Sequence, residues 1–231
     1  MTPEEPLIRW DWVASHLDEI AMRAGEHIQL TLIAVVVGLL IAFALSLLVL
    51  RVPRLEPAAT LVTGTLYTIP SLALFALLIP YTGLTLLTAE IGLVGYTLLI
   101  LMRNIVGGIR AVPEDVRESA LGMGYTRSQL LWRVELPLAL PVIVAGLRIA
   151  TITTIGLVTV TALIGQGGAG YLILIGLQRF FSTPLIVGAA LSLMLAIAAD
   201  GALVLVQRAL MPWERSLARA ASRPGLEPPS I

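Results

Sequence analysis

The polar side chains that could carry chemistry are concentrated in one stretch of the chain, from Glu114 to Pro137. It reads EDVRESALGMGYTRSQLLWRVELP and interrupts a sequence that is otherwise mostly apolar. Catalysis is not indicated, because the chain offers no nucleophile beside a base, no paired carboxylates at catalytic spacing and no Walker-type phosphate loop. We therefore expect no catalytic residues, and we expect the polar stretch to contact a soluble partner.

A second pattern concerns glycine. The segment GQGGAG matches G-x-G-x-x-G and contains Gly165, Gly167, Gly168 and Gly170. A dinucleotide site would also need a preceding buried strand and an acid about 20 residues later. The next acid is Asp200, so nucleotide binding is not expected. The pattern instead predicts a tight outer loop, where backbones or a partner approach closely.

Isolated titratable residues offer little more. Glu90 and Asp200 fall inside apolar runs, where a charge is costly, so each must face protein, water or an interface. Glu90 is shallow and is expected to reach the surface, whereas Asp200 is deeper and is a candidate for packing, gating or solute contact. His16 and His27 have no clustered Cys, His or carboxylate partners, and the chain has no Cys. No metal site is expected.

The rest of the chain is suited to lipid. It is 57% hydrophobic with a mean hydropathy of +0.91, and residues 28–50, 57–89, 149–178 and 180–199 contain no charged side chain. A membrane helix needs roughly 20 apolar residues. The sequence thus predicts an all-α polytopic membrane protein. Five spans are expected, at about 28–50, 57–80, 86–106, 142–165 and 185–207, because the turn residues from Pro80 to Gly83 split the longest run.

The positive charge is strongly asymmetric. All fifteen basic residues are arginines. With five spans, only Arg9, Arg23 and Arg179 fall on one side. The positive-inside rule then places the polar stretch and the C-terminus in the cytoplasm and the N-terminus outside. The other side carries Arg51, Arg54, Arg103, Arg110, Arg117, Arg127, Arg133, Arg148, Arg208, Arg215, Arg219 and Arg223.

The chain is therefore expected to have three parts. Residues 1–26 are expected to form an extracytoplasmic amphipathic segment, with Trp10 and Trp12 at headgroup level. Residues 27–208 form the transmembrane domain, with a cytoplasmic loop at 110–141. Residues 209–231 are a cytoplasmic tail, expected to be flexible.

A break is expected in the second span, because Pro70 cannot donate to the carbonyl four residues back. Thr68 and Ser71 can bond to carbonyls that the break leaves free. Broken helices often line the substrate path of transporters, although proline kinks also occur without such a role. Tyr67, Thr68, Pro70 and Ser71 are therefore candidates for a pathway or gate, together with Asp200.

The polar stretch itself predicts a rigid helical hairpin. Pro113 suits a first helical turn, and Gly122 with Gly124 ends that helix. Thr126 and Gln129 have the spacing of a capping box and start a second helix. Pro137 and Pro141 mark the return to the membrane. A rigid hairpin suits a mechanical contact, since a soft connector would absorb the displacement.

In this polar stretch the chain resembles a family, the permease subunits of bacterial ATP-binding-cassette importers. Their cytoplasmic loop follows E-A-A-x3-G-x9-I-x-L-P. The chain departs from it only by having Ser for the second position and Val for Ile. The resemblance implies a coupling helix that docks on an ATPase. The residues that carry it are Glu118, Ser119, Ala120, Gly124, Val134, Leu136 and Pro137.

Four segments, at 68–80, 103–109, 122–148 and 162–170, resemble the branch that imports glycine betaine, carnitine or choline. Methionine-uptake permeases are the nearest alternative, and an ion-driven secondary transporter or a non-transporting membrane scaffold are alternatives of another class. The resemblance implies a bacterial plasma-membrane protein in lipid, with an ATPase dimer, an extracytoplasmic solute-binding protein and a second permease subunit as partners. ATP and Mg²⁺ would bind the ATPase; no cofactor is expected in this chain, and no nucleic acid as partner.

Overall fold

The protein is described here by a computed structural model that covers residues 6–211. These residues form helices and connecting turns, with no strand among them, which confirms the all-α prediction. The helices are α1 (Trp10–Ser15), α2 (Leu17–Arg51), α3 (Glu56–Thr68), α4 (Ser71–Thr82), α5 (Leu86–Arg110), α6 (Glu114–Gly122), α7 (Arg127–Leu130), α8 (Leu136–Thr161), α9 (Ala169–Gln178) and α10 (Ser182–Leu210).

Within the described part of the chain, four helical segments are long and apolar enough to cross a membrane. They are α2, α5, the continuous segment Arg127–Ile164, and α10. A fifth crossing is possible through Pro53–Thr68 and Ser71–Thr82, which meet at an angle of 99°. The predicted five spans therefore have counterparts, but the second is sharply bent.

The helix that contains the first predicted span extends further than its apolar run indicated. α2 begins at Leu17 and runs through positions 26 and 27 without a break. Its charged first turns are held along one face, because Arg23 lies 3.0 Å from Glu26 and 4.0 Å from Glu19. Only the short α1, which ends at Ser15, is separate from it.

The core is organised around α5. It packs against α2, α3, α4 and α8, and 61% of the residues in its most apolar 18-residue stretch are buried. Leu93, Leu101 and Ile105 on α5 are fully buried. By contrast, the most apolar stretch of α10 has no buried residue, since α10 contacts only α8 and α9 extensively. The centre of the bundle therefore fixes α2, α5 and α8, and α10 lies at its outside.

Two elements differ from the sequence prediction. The short helix α9 was not expected, because its ten residues belong to an apolar run assigned to spans and loops. The second helix of the hairpin is not a separate element: α7 passes through a π-helical turn, Leu131–Glu135, directly into α8. A π turn changes the hydrogen-bond register of a helix. That turn ends two residues before Pro137, and α8 continues through both Pro137 and Pro141.

The terminal parts of the predicted division remain predictions. Helix α10 continues to Leu210, past the predicted boundary at 208. Most of the predicted tail, residues 212–231, lies outside the described residues, as do residues 1–5 of the N-terminal segment.

Candidate functional site: the polar hairpin and the polar groups of the spans

The hairpin turns at the end of α6 through a complete Schellman motif. The amide of Tyr125 donates to the carbonyl of Ala120 at 3.2 Å, and the amide of Gly124 donates to that of Leu121 at 2.9 Å. This motif places the residue after the cap in a left-handed conformation, and Gly124 has φ +87°. A Cβ there would meet no atom within 4 Å. Gly124 is thus required by backbone angle and not by close packing within this chain.

The next helix starts with a full capping box. The Thr126 hydroxyl accepts from the amide of Gln129 at 3.3 Å, and the Gln129 side chain accepts from the amide of Thr126 at 2.8 Å. Both exposed amides are therefore satisfied without water. The turn from α6 to α7 is defined by hydrogen bonds at both ends.

The residues that carry the family resemblance divide between two faces. Ala120 is 1% exposed and packs inward, whereas Glu118 and Ser119 are exposed. Leu136 and Pro137 are half-buried at the start of α8. Ala120 accordingly seats α6 on the bundle, and the exposed face of α6 is free to meet another protein. The large exposed apolar groups here are Leu121 of α6 and Met123 directly after it, 47% and 71% exposed.

Arg117 is a residue of this site that the sequence did not single out. Its guanidinium donates to the carbonyl of Ile109 at 2.6 Å, at the end of α5. It also lies 3.0 Å from the Glu135 carboxylate, in the π turn before α8, and 3.3 Å from Glu114. One side chain therefore ties α6 to both helices that enter the core. Its position one residue before Glu118 was the only sequence signal.

The predicted break in the second span is present between α3 and α4. Ile69 and Pro70 are extended, with ψ of 128° and 133°. Thr68 donates to the carbonyl of Thr65 at 2.9 Å, and Ser71 is half-buried at the start of α4. The Ile69 carbonyl, which is freed by the break, accepts instead from the Tyr96 hydroxyl of α5.

Tyr96 also contacts Tyr67, with ring centroids 6.1 Å apart in an edge-to-face arrangement. It is therefore the residue that holds the break against the core, and sequence reasoning missed it. Its signal was weak, since a lone tyrosine in an apolar helix carries no spacing pattern. Tyr67, Thr68 and Pro70 are exposed on the isolated subunit.

Asp200 has a partner that the sequence analysis did not identify. Arg148 on α8 binds it with two hydrogen bonds, Nε to Oδ1 at 2.7 Å and a terminal nitrogen to Oδ2 at 2.9 Å. Both side chains are about one-third exposed, at 32%. The sequence placed Arg148 on the cytoplasmic side, but it lies in the middle of α8. In the predicted spans, Arg148 lies six residues and Asp200 seven residues from the same membrane side. This similar depth was the sequence signal that the two charges could pair.

Glu90 differs from expectation as well. It does not reach the surface: its residue is 8% exposed, and neither carboxylate oxygen has a hydrogen-bond partner among the described residues. Glu90 therefore has none of the polar compensation that Arg148 gives to Asp200.

The glycine segment 165–170, at the start of α9, is held by α2. Glu26 accepts from the amide of Gly168 at 2.9 Å. Gly168 has φ +75°, and a Cβ on Gly170 would lie 2.1 Å from the Thr159 carbonyl oxygen. Gly167 lies against Glu26, so the backbone runs close to its neighbours at Gly167, Gly168 and Gly170. At Gly165 a Cβ would meet no atom within 4 Å, and the glycine is favoured there by its positive φ of +79°.

His27 completes this contact and is fully buried. Its Nδ1 accepts from the amide of Ala169 at 3.2 Å, and its Nε2 donates to the carbonyl of Ile155 at 3.0 Å. An amide can only donate and a carbonyl can only accept, so the ring is the neutral Nε2–H tautomer. His27 therefore acts as a bridge between α2, α8 and α9. Within residues 6–211, no group of three or more His, Cys, Asp or Glu could hold a metal ion.

Solved structures share this architecture. An inward-facing structure of the MetNI methionine ABC transporter matches with a TM-score of 0.75 and 22% identity, over 83% of this chain and 96% of that chain. At this identity the likeness defines the fold alone. The fold is that of an ABC importer permease.

The family follows from sequence comparison. Residues 34–212 match the family described as binding-protein-dependent transport system inner membrane component. The choline transport system permease protein OpuBB of Bacillus subtilis is 38% identical over 84% of this chain and 89% of its own length. The glycine betaine/carnitine/choline transport system permease protein OpuCB of the same organism is 37% identical over the same shares. The chain belongs to this family of multi-pass inner-membrane permeases, which confirms the resemblance and excludes an ion-driven secondary transporter.

Gly124 provides a test of the hairpin. Gly124→Ala should cost about 1–3 kcal/mol of local stability, because a side chain disfavours a positive φ. Gly124→Asn should cost less, since Asn tolerates this conformation. Asp also tolerates a positive φ, yet Gly124→Asp should abolish transport with membrane insertion intact, because it places a charge on the turn that the family resemblance predicts to contact an ATPase. Transport assays and protease accessibility in membranes measure both. Gly122→Ala is the control, because Gly122 is helical and its Cβ also meets nothing; loss of insertion in Gly124→Asp would contradict the coupling role.

Tyr96→Phe tests the support of the broken span. It leaves the Ile69 carbonyl unpaired, so the free energy of unfolding should fall by about 1–3 kcal/mol, and transport should fall with it. Tyr67→Phe is matched, because the Tyr67 hydroxyl makes no hydrogen bond with the described residues and the ring contact is kept. Denaturant titration in detergent compares the two. Equal losses in both variants would show that the hydroxyl of Tyr96 does not support the break.

The ion pair between α8 and α10 is tested by a double-mutant cycle. Arg148→Gln and Asp200→Asn each leave one charge without its partner among apolar helices, so both should lower stability. The double variant should lose no more than about half of the sum, because the second change removes the uncompensated charge. Strictly additive losses, measured by unfolding in detergent, would mean that the two side chains act independently.

Proposed function

We propose that this chain forms half of the membrane pathway of an ATP-driven importer for a small osmoprotectant such as glycine betaine, choline or carnitine. The observation that carries the proposal is the anchored hairpin: α6 exposes Glu118 and Ser119 to solvent and is tied through Arg117 to α5 and α8. A force applied to α6 would therefore reach the centre of the bundle directly.

The orientation follows from the same feature. The hairpin lies at the end of the bundle where α2 and α5 finish with Arg51 and Arg110. The positive-inside rule favours the cytoplasm for this end. An ATPase dimer would bind there, supplying ATP and Mg²⁺, and a solute-binding protein would deliver the solute at the opposite end. ATP hydrolysis belongs to the partner in this proposal, and this chain contributes alternating access.

The solute class rests on the relatives, which are named for choline, carnitine and glycine betaine at 37–38% identity. The methionine alternative was raised by similar size and the same loop. The likeness to a methionine transporter at 22% identity is one of fold and carries no information about the solute. The family assignment also favours transport over a scaffold that only recruits a partner. Tyr67, Thr68, Pro70, Ser71 and Asp200 remain the proposed pathway and gate residues.

The proposal is tested by the ATPase activity of the reconstituted complex with its ATPase and binding protein. Betaine, choline, carnitine, proline and methionine are added in turn. We expect stimulation by a quaternary ammonium solute. Stimulation by methionine would keep the mechanism and overturn the solute, and no association with an ATPase would overturn the coupling role of α6.

A matched pair of variants separates coupling from assembly. Arg117→Gln should keep the ATPase bound and lose most of the solute-stimulated hydrolysis, since α6 is no longer tied to α5 and α8. Arg133→Gln removes an exposed arginine of the same hairpin and should behave as the unchanged protein. Equal stimulation in the two variants would place force transmission elsewhere.

A further inference from the structure

A basic cavity lies beside the hairpin, at the end of the bundle where α2 and α5 finish. Its volume is about 630 Å³, within the roughly 300–1,000 Å³ typical of small-molecule sites. Four arginines and one carboxylate line it: Arg51, Arg110, Arg117, Arg127 and Glu135. We refer to it as the arginine basin.

Half of this positive charge is already compensated. Arg110 forms a two-bond ion pair with Glu56, at 2.7 and 2.6 Å, and Arg117 is paired with Glu135 and Glu114. Arg51 and Arg127 have no carboxylate partner among residues 6–211. Two free guanidinium groups therefore face a shared cavity, and this arrangement attracts an anion.

The remaining lining shows what kind of anion fits. Leu47 and Leu50, from the last turns of α2, and Trp132 from the π turn form an apolar wall. Trp132 is 55% exposed and its ring lies 6.1 Å from that of Phe43. Trp is typical of the boundary between hydrocarbon and headgroups. The helix α2 itself carries exposed apolar groups, such as Leu40 at 66% and Leu48 at 47%, which lipid tails can cover.

We infer that the arginine basin binds the headgroup of an anionic phospholipid. The phosphate would lie between Arg51 and Arg127, and an acyl chain would run along Leu47, Leu50 and Trp132. Basic pockets between membrane helices bind anionic headgroups in this manner. A soluble ATPase surface would match the arginines but would leave the apolar wall without a partner.

The site lies close to the coupling hairpin. Arg127 is the first residue of α7, and Arg117 anchors α6, so a bound headgroup would contact the segment that links the hairpin to the core. The inference does not depend on which solute the importer carries.

The test uses the complete complex purified with its ATPase. Dioctanoyl phosphatidylglycerol and dioctanoyl phosphatidylcholine are titrated separately, with bound lipid counted by native mass spectrometry. We expect binding of the phosphatidylglycerol only, weakened by salt because the attraction is electrostatic. In Arg51→Gln/Arg127→Gln the affinity should fall about 25-fold, since each basic residue at a membrane surface strengthens the attraction about fivefold.

The matched control is Arg54→Gln/Arg133→Gln, which removes two exposed arginines from the same end of the bundle but outside the basin. Its affinity should stay within about twofold. Equal loss in both double variants, or equal binding of the two lipids, would overturn the inference. Displacement of the lipid by inorganic phosphate at equal concentration would assign the site to a free anion. Loss of the ATPase from the basin variant without loss of lipid would make the basin an ATPase contact. If the double variant does not assemble, Arg51→Gln alone and the salt dependence decide the question.

Discussion

The structure depends on one constraint: a polar group placed among apolar helices must find its partner within the protein. Three polar features of the bundle follow this rule. The carbonyl freed by the break between α3 and α4 is bonded by Tyr96, Asp200 is bonded by Arg148, and His27 uses both ring nitrogens. In each case the two bonded groups belong to different helical segments. The polar groups therefore do more than avoid a penalty, because each one fixes the position of one helix relative to another.

Glu90 is an exception to this constraint. Its carboxylate is buried and has no hydrogen-bond partner in the described part of the chain. Asp200, by contrast, is one-third exposed and doubly bonded. A buried carboxylate without a partner is stable only in its neutral form or with a partner from another molecule. Both acids interrupt apolar runs in the sequence, but only Asp200 joins two helices.

The sequence predicted the elements well and the connections poorly. Apolar runs predicted the four long membrane helices and the segment that is bent at Pro70, because the length of a membrane helix is fixed by the bilayer. The break at Pro70 and the capping box at Thr126 were predictable because both depend on neighbouring residues alone. Arg117, Tyr96 and Arg148 were missed because each acts on a residue of another element, and a single sequence carries only a weak signal of such pairs, such as the similar depth of Arg148 and Asp200. The helix α9 was missed for a different reason: an apolar run does not show where a short helix ends.

The arrangement at the arginine-rich end explains why the hairpin can be both exposed and rigid. The helix α6 is short, at nine residues, and isolated helices of this length are marginal in water. It is stabilised by its Schellman turn, by the burial of Ala120 and by the ties of Arg117 to α5 and α8. None of these contacts uses the exposed side chains of Glu118 and Ser119. The groups that fix α6 and the exposed groups thus lie on different faces, so a partner bound to the exposed face would not displace the contacts that fix α6.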